Sequence, residues 1–555
     1  SDSPIWSSDG DPSARAIDLV SDREDEESPS PFLSPVVSGE LDVGSMPAAG
    51  SAPKHGDGDG EGQLRKRRRS TRYPHRQLKI TNTMEMKPSS ALQLIIEKSG
   101  VVSDHYKLHR ELGKGTFGVV QKAELKVTGA MRAVKTISKA PMKNNRHLLK
   151  KEIEIMKTVD HPNLLMLFEI FEDEKTLYLV LELCEGGTLE RYVQKRGALS
   201  EELAVMVMQM VLRATRYLHS HRICHRDIKC DNCLIAGETL KKSQVKLCDF
   251  GLACQLPKGC WLTRPCGTPT HMSPEVILKK YRMPADLWSC GVVCFQLLSA
   301  GLPFRGDTIE ELQKNIRKAE VTYGEKWVCV SSAGCSFVTA LLQKGPKQRM
   351  TAEAALLHEW FGELAKMKET KLPLQQIVMD LRKFRKLNKL RRAALHVIVS
   401  MLGEVEIGQA RKYFLALDLN GDGMFSVEEL ESRMRKELVV PNTSEGLSAL
   451  RFQSQDVFGG GTSEEIQEFT YTEFLAATFD RRSAVKRKNI MHAAFNSFDM
   501  NGDGKVSVSE LAAGRLLGKL RMDELEAALE EIDADGDSLM DFKEFVNMMR
   551  EPDKE

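Results

Sequence analysis

The chain has 555 residues, of which 28% are charged and 41% hydrophobic, and its formal net charge at pH 7 is +1. This length exceeds what one hydrophobic core usually organises, so two or more domains are expected. The balance of 79 basic and 78 acidic side chains argues against a protein that binds nucleic acid or membranes over its whole surface.

The twelve cysteines lie between Cys184 and Cys335 without the paired spacing of small secreted domains, which favours a reducing compartment and a cytoplasmic protein. Cys230 and Cys233 have the spacing of a metal or redox pair. No second such pair lies nearby, so buried thiols are the simpler interpretation. No apolar run reaches the roughly 20 residues of a membrane helix.

Residues 1–100 are rich in Ser, Pro, Gly and Asp, which predicts a disordered, low-complexity N-terminal extension. Any nuclear targeting or membrane association is expected to depend on this region. Its basic run at residues 65–69, followed by Ser70, is open to several interpretations: a solvated charge cluster, a nuclear signal, a contact with an acidic surface, or a phosphorylation site. Residues 91–98 are expected to form a short amphipathic helix.

Residues 101–361 pass from β-rich runs, such as residues 177–181, to helical periodicity over residues 201–219. A glycine pattern at residues 113–120, G-x-G-x-x-G-x-V, lets backbone amides close over phosphates. A dinucleotide-binding site shares the three glycines but requires a following helix and a downstream acid. Here Lys135 follows in an Ala-Val-Lys strand, at the distance expected of a kinase.

The pattern continues with His-Arg-Asp-Ile-Lys-Cys-Asp-Asn at residues 225–232, Asp-Phe-Gly at residues 249–251 and Ser-Pro-Glu at residues 273–275. Each of these is weak evidence singly, but the ordered set closely resembles the protein kinase family. The resemblance implies an α+β bilobal protein kinase fold, with a small sheet-based lobe joined to a larger helical lobe.

The resemblance also implies roles for individual residues. Asp227 would accept the substrate hydroxyl proton, Lys229 would steady the γ-phosphate, and Asn232 and Asp249 would hold Mg²⁺. Lys135 would contact the α- and β-phosphates of ATP. The implied nucleotide-binding residues are Leu112, Gly113, Lys114, Gly115, Thr116, Phe117, Gly118, Val120, Ala133, Lys135, Glu152, Leu181, Glu182 and Leu183.

Glu152 is preferred over Glu154 as the partner of Lys135, because residues two apart on a helix point in different directions. The resemblance further implies that Thr268 bridges Asp227 and Lys229, as in serine/threonine kinases, and that Asp286 and Arg349 anchor the large lobe.

Two features bear on control and substrate choice. Thr263 in the activation segment, residues 249–275, is a candidate phosphorylation site, and the alternative is an unmodified loop whose shape is set by packing. Thr188 and Gln296 stand where relatives that prefer basic substrates often have acids, so a strong preference for arginine is not expected.

Residues 405–555 repeat a helix-loop-helix unit, and three loops carry oxygen ligands at the spacing of an EF-hand. These predict an all-α EF-hand domain with four units. The predicted Ca²⁺ ligands are Asp418, Asn420, Asp422, Met424 and Glu429; Asp499, Asn501, Asp503, Lys505 and Glu510; and Asp533, Asp535, Asp537, Leu539 and Glu544.

Two of the four loops depart from the pattern. The loop beginning at Asp533 has Ser538 where glycine usually allows the sharp turn, and calcium is still expected to bind there. The loop ending at Glu473 lacks most of its charge and is expected to bind no calcium. Phe469 nevertheless matches the apolar position of the other loops, so this hand is expected to form a β-bridge with the first.

A kinase domain, a basic helical junction at residues 362–404 and four EF-hands closely resemble the calcium-dependent protein kinase family, over residues 106–550. The resemblance implies a calcium-regulated serine/threonine protein kinase that uses ATP, Mg²⁺ and Ca²⁺ and acts on protein substrates. It implies that the junction holds the kinase inactive until calcium draws it to the EF-hand domain. A monomer that binds no nucleic acid is expected. The alternatives are a calcium-sensing scaffold with an inactive kinase domain and a calcium-independent kinase with structural EF-hands.

Overall fold

The computed structural model of the chain describes residues 95–115, 118–140, 146–324, 327–364, 372–438, 468–513 and 522–550. The basic run at residues 65–69 and Ser70 lie outside these ranges. So do Thr116, Phe117 and most of the ligand-poor second loop. Among the helices described, none is both long and apolar enough to cross a membrane.

The small lobe is built on a six-stranded sheet in the order β1-β5-β6-β4-β3-β2. Its strands are β1 (Ile96–Ser99), β2 (Tyr106–Gly115), β3 (Gly118–Leu125), β4 (Met131–Ser138), β5 (Leu167–Glu172) and β6 (Thr176–Leu181), and helix α1 (Arg146–Thr158) lies between β4 and β5 in sequence. Only β1 and β5 pair in parallel. Both faces of the central strand β6 are mostly buried, which explains its nearly continuous apolar sequence.

The helix predicted at residues 91–98 is wrong where the structure describes it, because Ile96–Ser99 is an edge strand. Ile96 is buried, and the Nζ of Lys98 lies 2.8 Å from a carboxylate oxygen of Glu169 on the neighbouring strand. Sheet pairing therefore overrides the helical pattern of this short segment. The kinase sheet also begins before residue 101, the boundary expected from the sequence.

The two faces of the sheet belong to different cores, and this alternation orients the active site. Ala133 and Leu179 pack into the core that continues into the large lobe, on the same face as Lys135. Val134 and Val180 point to the opposite face and join a cluster that continues into the junction helices and the EF-hand domain. The EF-hand domain thus lies behind the sheet, relative to Lys135.

The large lobe is mainly helical. Its helices are α2 (Leu189–Arg196), α3 (Glu201–Ser220), α4 (Pro274–Ile277), α5 (Pro284–Ser299), α6 (Ile309–Lys318), α7 (Ser332–Leu341), α8 (Ala352–Leu356) and α9 (Glu359–Leu364). Short strands β7 (Ile223–Cys224), β8 (Cys233–Ile235), β9 (Val245–Leu247) and β10 (Cys254–Gln255) pair as β7 with β10 and β8 with β9. Helix α3 confirms the periodicity of residues 201–219, and Cys230 and Cys233 are fully buried, as the simpler interpretation of that pair predicts.

The junction forms two helices, α10 (Leu374–Lys386) and α11 (Lys389–Met401). Asn388 caps the second helix by accepting the backbone N–H of Arg391 at 2.8 Å. Apolar side chains at helical spacing, including Leu381 and Leu395, are buried in the cluster shared with the sheet and the EF-hands.

The EF-hand domain contains α12 (Glu404–Leu417), β11 (Met424–Ser426), α13 (Val427–Leu438), β12 (Glu468–Thr470), α14 (Tyr471–Thr478), α15 (Arg481–Lys486), α16 (Lys488–Phe495), β13 (Lys505–Val506), α17 (Val508–Ala513), α18 (Met522–Glu530), β14 (Met540–Asp541) and α19 (Phe542–Met549). Phe425 in β11 pairs with Phe469 in β12, and Val506 pairs with Met540. The predicted β-bridge between the first and second hands is confirmed.

Candidate active site and calcium loops

The predicted catalytic loop, residues 225–232, is held by backbone contacts to a buried acid. Asp286, on α5, accepts the backbone N–H groups of His225 and Arg226 at 2.9 Å each. Arg226 has a φ of 68°, a conformation that needs such support in a non-glycine residue. A Cβ on Gly267 would lie 2.4 Å from the Arg226 carbonyl oxygen, so only glycine lets the activation segment approach this closely.

Asp227 lies at the centre of a charge-assisted network. The backbone N–H and the hydroxyl of Thr268 donate to Asp227 Oδ1 at 2.9 and 2.7 Å. Lys229 Nζ lies 3.1 Å from Oδ2 and donates to the Thr268 hydroxyl at 2.9 Å. The predicted bridge between Asp227 and Lys229 is present.

This network keeps Asp227 ionised. Burial alone would raise its pKa, but the Lys229 ammonium and the Thr268 hydroxyl bring the pKa below its ordinary value. The carboxylate is therefore an acceptor at neutral pH, as a group that receives a substrate hydroxyl proton must be.

Asn232 and Asp249 fit a hard cation such as Mg²⁺. The Asn232 amide nitrogen donates to the Asp227 backbone carbonyl at 2.8 Å and to its carboxylate at 3.0 Å, which leaves the amide oxygen as the group able to face a metal. Asp249 has a φ of 66°, and its Oδ1 accepts the Gly251 N–H at 3.2 Å. Amide and carboxylate oxygens are the donors that Mg²⁺ prefers.

The Lys135 ammonium lies 3.1 Å from Glu152 Oε1, whose side chain is only 5% exposed. Glu154 instead pairs with Lys157 at the surface. The choice of Glu152 over Glu154 is confirmed. Helix α1 therefore places its buried carboxylate against the ammonium of Lys135.

Other residues predicted to bind nucleotide lie around the same face of the sheet. Leu112, Val120, Ala133, Leu181 and Leu183 belong to or pack against the core that contains the cleft. Gly113, Lys114 and Gly115 lie at the end of β2, where Gly115 pairs with Gly118. A Cβ on Gly118 would come within 1.8 Å of the Thr136 carbonyl oxygen, so the close β3–β4 pairing requires glycine there.

Glu182 differs from the prediction in what its side chain does. Its backbone N–H donates to the Met166 carbonyl at 3.0 Å, and its carboxylate lies 2.7 Å from the Nζ of Lys246. The carboxylate therefore serves an internal ion pair. Lys246 was missed by sequence reasoning, although a lysine between Val245 and Leu247 in an apolar strand signals a buried partner.

Arg349 pairs with a different acid from the one that holds the catalytic loop. Its guanidinium donates to both carboxylate oxygens of Glu275, at 2.6 and 3.1 Å, and to the Pro284 carbonyl at 2.6 Å. This bidentate pair ties the end of the activation segment to the base of the large lobe.

The first calcium loop folds around its own ligands. Asp418 accepts the Gly421 N–H at 2.6 Å, and Glu429 accepts the Asn420 and Ser426 N–H groups at 3.1 and 3.0 Å. Burial raises the pKa of Asp418 to about 7, an effect that the Arg213 guanidinium partly offsets. Crowded, buried carboxylates of this kind suit a divalent cation.

The two C-terminal loops repeat this arrangement. Asp499 accepts the Gly502 N–H at 2.7 Å, and Glu510 accepts that of Asn501 at 3.1 Å. In the last loop the carboxylates of Asp533, Asp535 and Asp537 converge within 4.8 Å of one another. The position-7 residues Met424, Lys505 and Leu539 donate their N–H groups to the preceding ligands Asp422, Asp503 and Asp537 at 3.0, 2.9 and 2.9 Å. Glu544 accepts the Ala534 N–H at 2.7 Å.

Ser538 takes the turn that glycine makes in the other loops. Its φ is 62°, against 80° for Gly423 and 86° for Gly504. The loop therefore reaches the binding geometry despite the missing glycine, at the cost of a left-handed non-glycine residue.

Comparison with known proteins connects these sites. Residues 106–361 match the family model of the protein kinase domain, residues 410–434 that of an EF-hand, and residues 487–550 that of an EF-hand pair. Calcium-dependent protein kinase 5 of Plasmodium falciparum is 34% identical over 468 residues, 82% of this chain and 80% of that protein. Calcium-dependent protein kinase 7 of Arabidopsis thaliana is 31% identical over 456 residues, 81% of this chain and 83% of that protein.

The chain belongs to the calcium-dependent protein kinase family. It is a calcium-regulated serine/threonine protein kinase with an ATP site and calcium-binding EF-hands. Shared domains do not by themselves show how calcium binding affects the active site. This effect depends on where the EF-hands contact the kinase domain in this chain.

In this calcium-dependent protein kinase the first calcium loop lies directly against the kinase domain. Arg216 of α3 donates to the Asn420 carbonyl, and a Cβ on Gly423 would lie 2.4 Å from the ring of His161 and 2.8 Å from that of Tyr217. The loop is therefore a contact surface as well as a calcium site.

The junction also contacts the small lobe. Arg132 Nη2 donates to the Ser400 and Leu402 carbonyls at 2.7 and 2.8 Å, and the Thr128 hydroxyl donates to the Met401 carbonyl at 3.1 Å. These bonds cap the end of α11 at the turn between β3 and β4. The end of α11 thus lies on the face of the sheet opposite Lys135.

Proposed function

We propose that this kinase transfers the γ-phosphate of Mg²⁺-bound ATP to protein serine and threonine hydroxyls when calcium docks its EF-hand domain behind the small lobe. The observation that carries the proposal is the pairing of the Lys135 and Glu152 side chains in a chain whose first calcium loop lies against the kinase domain. The assembled cleft and the docked loop belong to one arrangement.

The chemistry follows from the residues in place. Asp227 accepts the proton of the acceptor hydroxyl, and Lys229 carries positive charge where the transferred phosphoryl group becomes more negative. Asn232 and Asp249 would hold Mg²⁺, which neutralises phosphate charge when bound. Lys135, held by Glu152, orients the nucleotide.

The regulatory part of the proposal concerns the junction. Without calcium, its basic helix leaves the EF-hand domain and inhibits the kinase. With calcium, α10 and α11 pack between the EF-hands and the sheet, away from Lys135. In the docked arrangement Arg385 lies over the Phe469 ring, 4.4 Å from its centroid, so a basic residue of the junction is engaged by the EF-hand domain.

Substrates without a strict requirement for arginine fit the large-lobe surface best. The carboxylate of Glu190 is an acceptor for Gln296 Nε2 at 2.6 Å and for Gln194 Nε2 at 2.8 Å. An acid already occupied by two amides has less capacity to select a substrate guanidinium. A peptide array that shows strict selection of arginine three residues before the acceptor would contradict this point.

We also propose a cytoplasmic location and a monomeric enzyme. All twelve cysteines are described and free of disulfides, which supports a reducing compartment. Fluorescent tagging of the full chain, followed by fractionation, tests the location. Sedimentation of the purified enzyme tests the oligomeric state.

The decisive experiment measures phosphate transfer to a serine/threonine peptide with excess calcium and with chelator, for the unaltered chain and for Asp227→Asn. Calcium-dependent transfer that Asp227→Asn abolishes supports the proposal. Transfer that is indifferent to chelator would support an unregulated kinase with structural EF-hands, and no transfer in either condition would support an inactive scaffold.

A further inference from the structure

The hinge between the two kinase lobes carries a buried charge cluster. Glu182 directly follows β6, where the chain crosses from the small lobe to the large lobe. Its carboxylate lies 2.7 Å from the Nζ of Lys246 and 3.6 Å from Nη2 of Arg411 in the EF-hand domain. The three side chains are 11%, 0% and 6% exposed, so solvent screens their charges poorly.

Arg411 uses each of its three nitrogens on a different element. Nε donates to the Tyr471 hydroxyl at 2.7 Å, Nη1 donates to Glu404 at 2.8 Å, and Nη2 faces Glu182. A planar guanidinium fixes all three partners at once, which a lysine could not do. Arg411 therefore ties the hinge to the start of α12 and the start of α14.

The start of α14 is in turn tied to the first calcium loop. Tyr471 immediately follows β12, which pairs with β11 inside that loop through Phe425 and Phe469. The next residue, Thr472, donates its N–H and hydroxyl to Asp160 at 3.0 and 2.6 Å. Asp160 lies two residues beyond α1, the helix that carries Glu152. Two consecutive residues of the ligand-poor second hand thus reach both the hinge and the end of α1.

We propose that Arg411 is a positioning residue for the nucleotide site, which acts through Glu182, and that the second hand passes the calcium occupancy of the first loop to the hinge through Tyr471. The inference rests on the proposed activation by docking. It assigns a mechanical role to a hand that the sequence predicts to bind no calcium.

The electrostatics supports this assignment. Burial would raise the pKa of Glu182, but the Lys246 and Arg411 cations bring it below the ordinary value, so the hinge carboxylate stays charged. With Arg411 removed, Lys246 remains as the one partner of the carboxylate in this cluster, and α12 no longer holds the hinge. The adenine pocket formed by the hinge should then be less well ordered.

The test compares Arg411→Met, which keeps the length and the apolar stem of the side chain, with the matched control Arg487→Met. Arg487 pairs at 3.0 Å with Glu406, which lies on α12, the helix of Arg411. Arg487 is 36% exposed and lies outside the hinge cluster. At saturating calcium, Arg411→Met should raise KM for ATP by about fivefold while kcat and KM for peptide stay unchanged. Arg487→Met should match the unaltered enzyme.

Reciprocity supplies a second readout that a merely structural role would not produce. If the hinge and the first loop are coupled, a non-hydrolysable ATP analogue must tighten calcium binding by the same factor by which calcium tightens the analogue. Titration calorimetry should find this coupling in the unaltered chain and in Arg487→Met, and find it lost in Arg411→Met.

Equal KM values for ATP and equal coupling in the two arginine variants would overturn the inference. If Arg411→Met does not fold, Tyr471→Phe removes only the hydroxyl that accepts from Nε, and an unchanged KM for ATP in that variant would overturn it as well. Failure of the proposed activation is seen separately, as an unaltered enzyme whose activity ignores calcium.

Discussion

A matched pair of glycine substitutions tests whether the first calcium loop docks on the kinase domain. Gly423 and Gly504 stand at the same position of the first and third loops, with φ values of 80° and 86°. Alanine in this conformation costs about 1–2 kcal/mol at either site. A Cβ at Gly504 meets open space, whereas one at Gly423 would lie 2.4 Å from His161.

The neighbours of Gly423 cannot move aside easily. His161 is fully buried and accepts the Asn163 N–H at 2.9 Å, and the Tyr217 hydroxyl accepts the Asp160 N–H at 2.9 Å. Overpacking of such a site adds about 1–3 kcal/mol. Gly423→Ala should therefore shift the docking equilibrium by roughly 5- to 150-fold more than Gly504→Ala.

Hydrogen exchange at saturating calcium measures this difference. The amides of Asp160 and Asn163 should exchange faster in Gly423→Ala than in the unaltered chain, because they donate to the displaced side chains of Tyr217 and His161. Gly504→Ala should leave this segment unchanged while weakening calcium binding at its own loop. Equal exchange in both variants would refute the docking contact.

Three further predictions concern stability and calcium binding. Arg349→Met leaves Glu275 as a buried unpaired carboxylate and should lower the free energy of unfolding by about 3–5 kcal/mol in urea denaturation. Adding Glu275→Gln should recover part of this stability, and no recovery would mean that loss of the ion pair is not the cause. Ser538→Gly relieves a left-handed serine and should tighten calcium binding at the fourth loop by about fivefold in calorimetry, and an unchanged affinity would contradict the strain. Burial lowers the pKa of His271 to about 4 from its ordinary value of 6.5, so the unfolded state binds the extra proton. This contribution to stability is fully present above about pH 7.5, and about 2 kcal/mol of it should be lost between pH 7.5 and pH 5. His271→Gln should abolish this loss, and a loss that persists in that variant would belong to other groups.

The active site could be predicted from sequence because its chemistry restricts residue types at fixed spacing. The expected network forms between Asp227, Lys229 and Thr268. Lys135 pairs with Glu152, as predicted. The calcium loops were equally accessible, since oxygen ligands and turns recur within twelve residues. Both kinds of motif are local or belong to an ordered series.

The contacts between domains could not be predicted in this way. Thr472 and Asp160 are 312 residues apart, and neither belongs to a sequence motif that predicts a contact with the other. Arg411 lies on the buried stripe of α12, four residues after Ile407, but the stripe does not indicate which acid pairs with it. Its pairing with Glu182 follows only from tertiary packing, as does the strand at Ile96–Ser99, which pairing with β5 creates.

The rate of phosphate transfer as a function of free calcium, compared between the unaltered chain and Glu429→Gln, tests the central claim most directly. Glu429 is the last ligand of the loop that lies against the kinase domain, and it does not touch the catalytic residues in the contacts described. Control of the active site through this loop predicts that the unaltered enzyme is activated by calcium and that Glu429→Gln needs at least about tenfold more calcium for the same rate. Identical rates in calcium and chelator, or identical calcium curves for the two proteins, would contradict it.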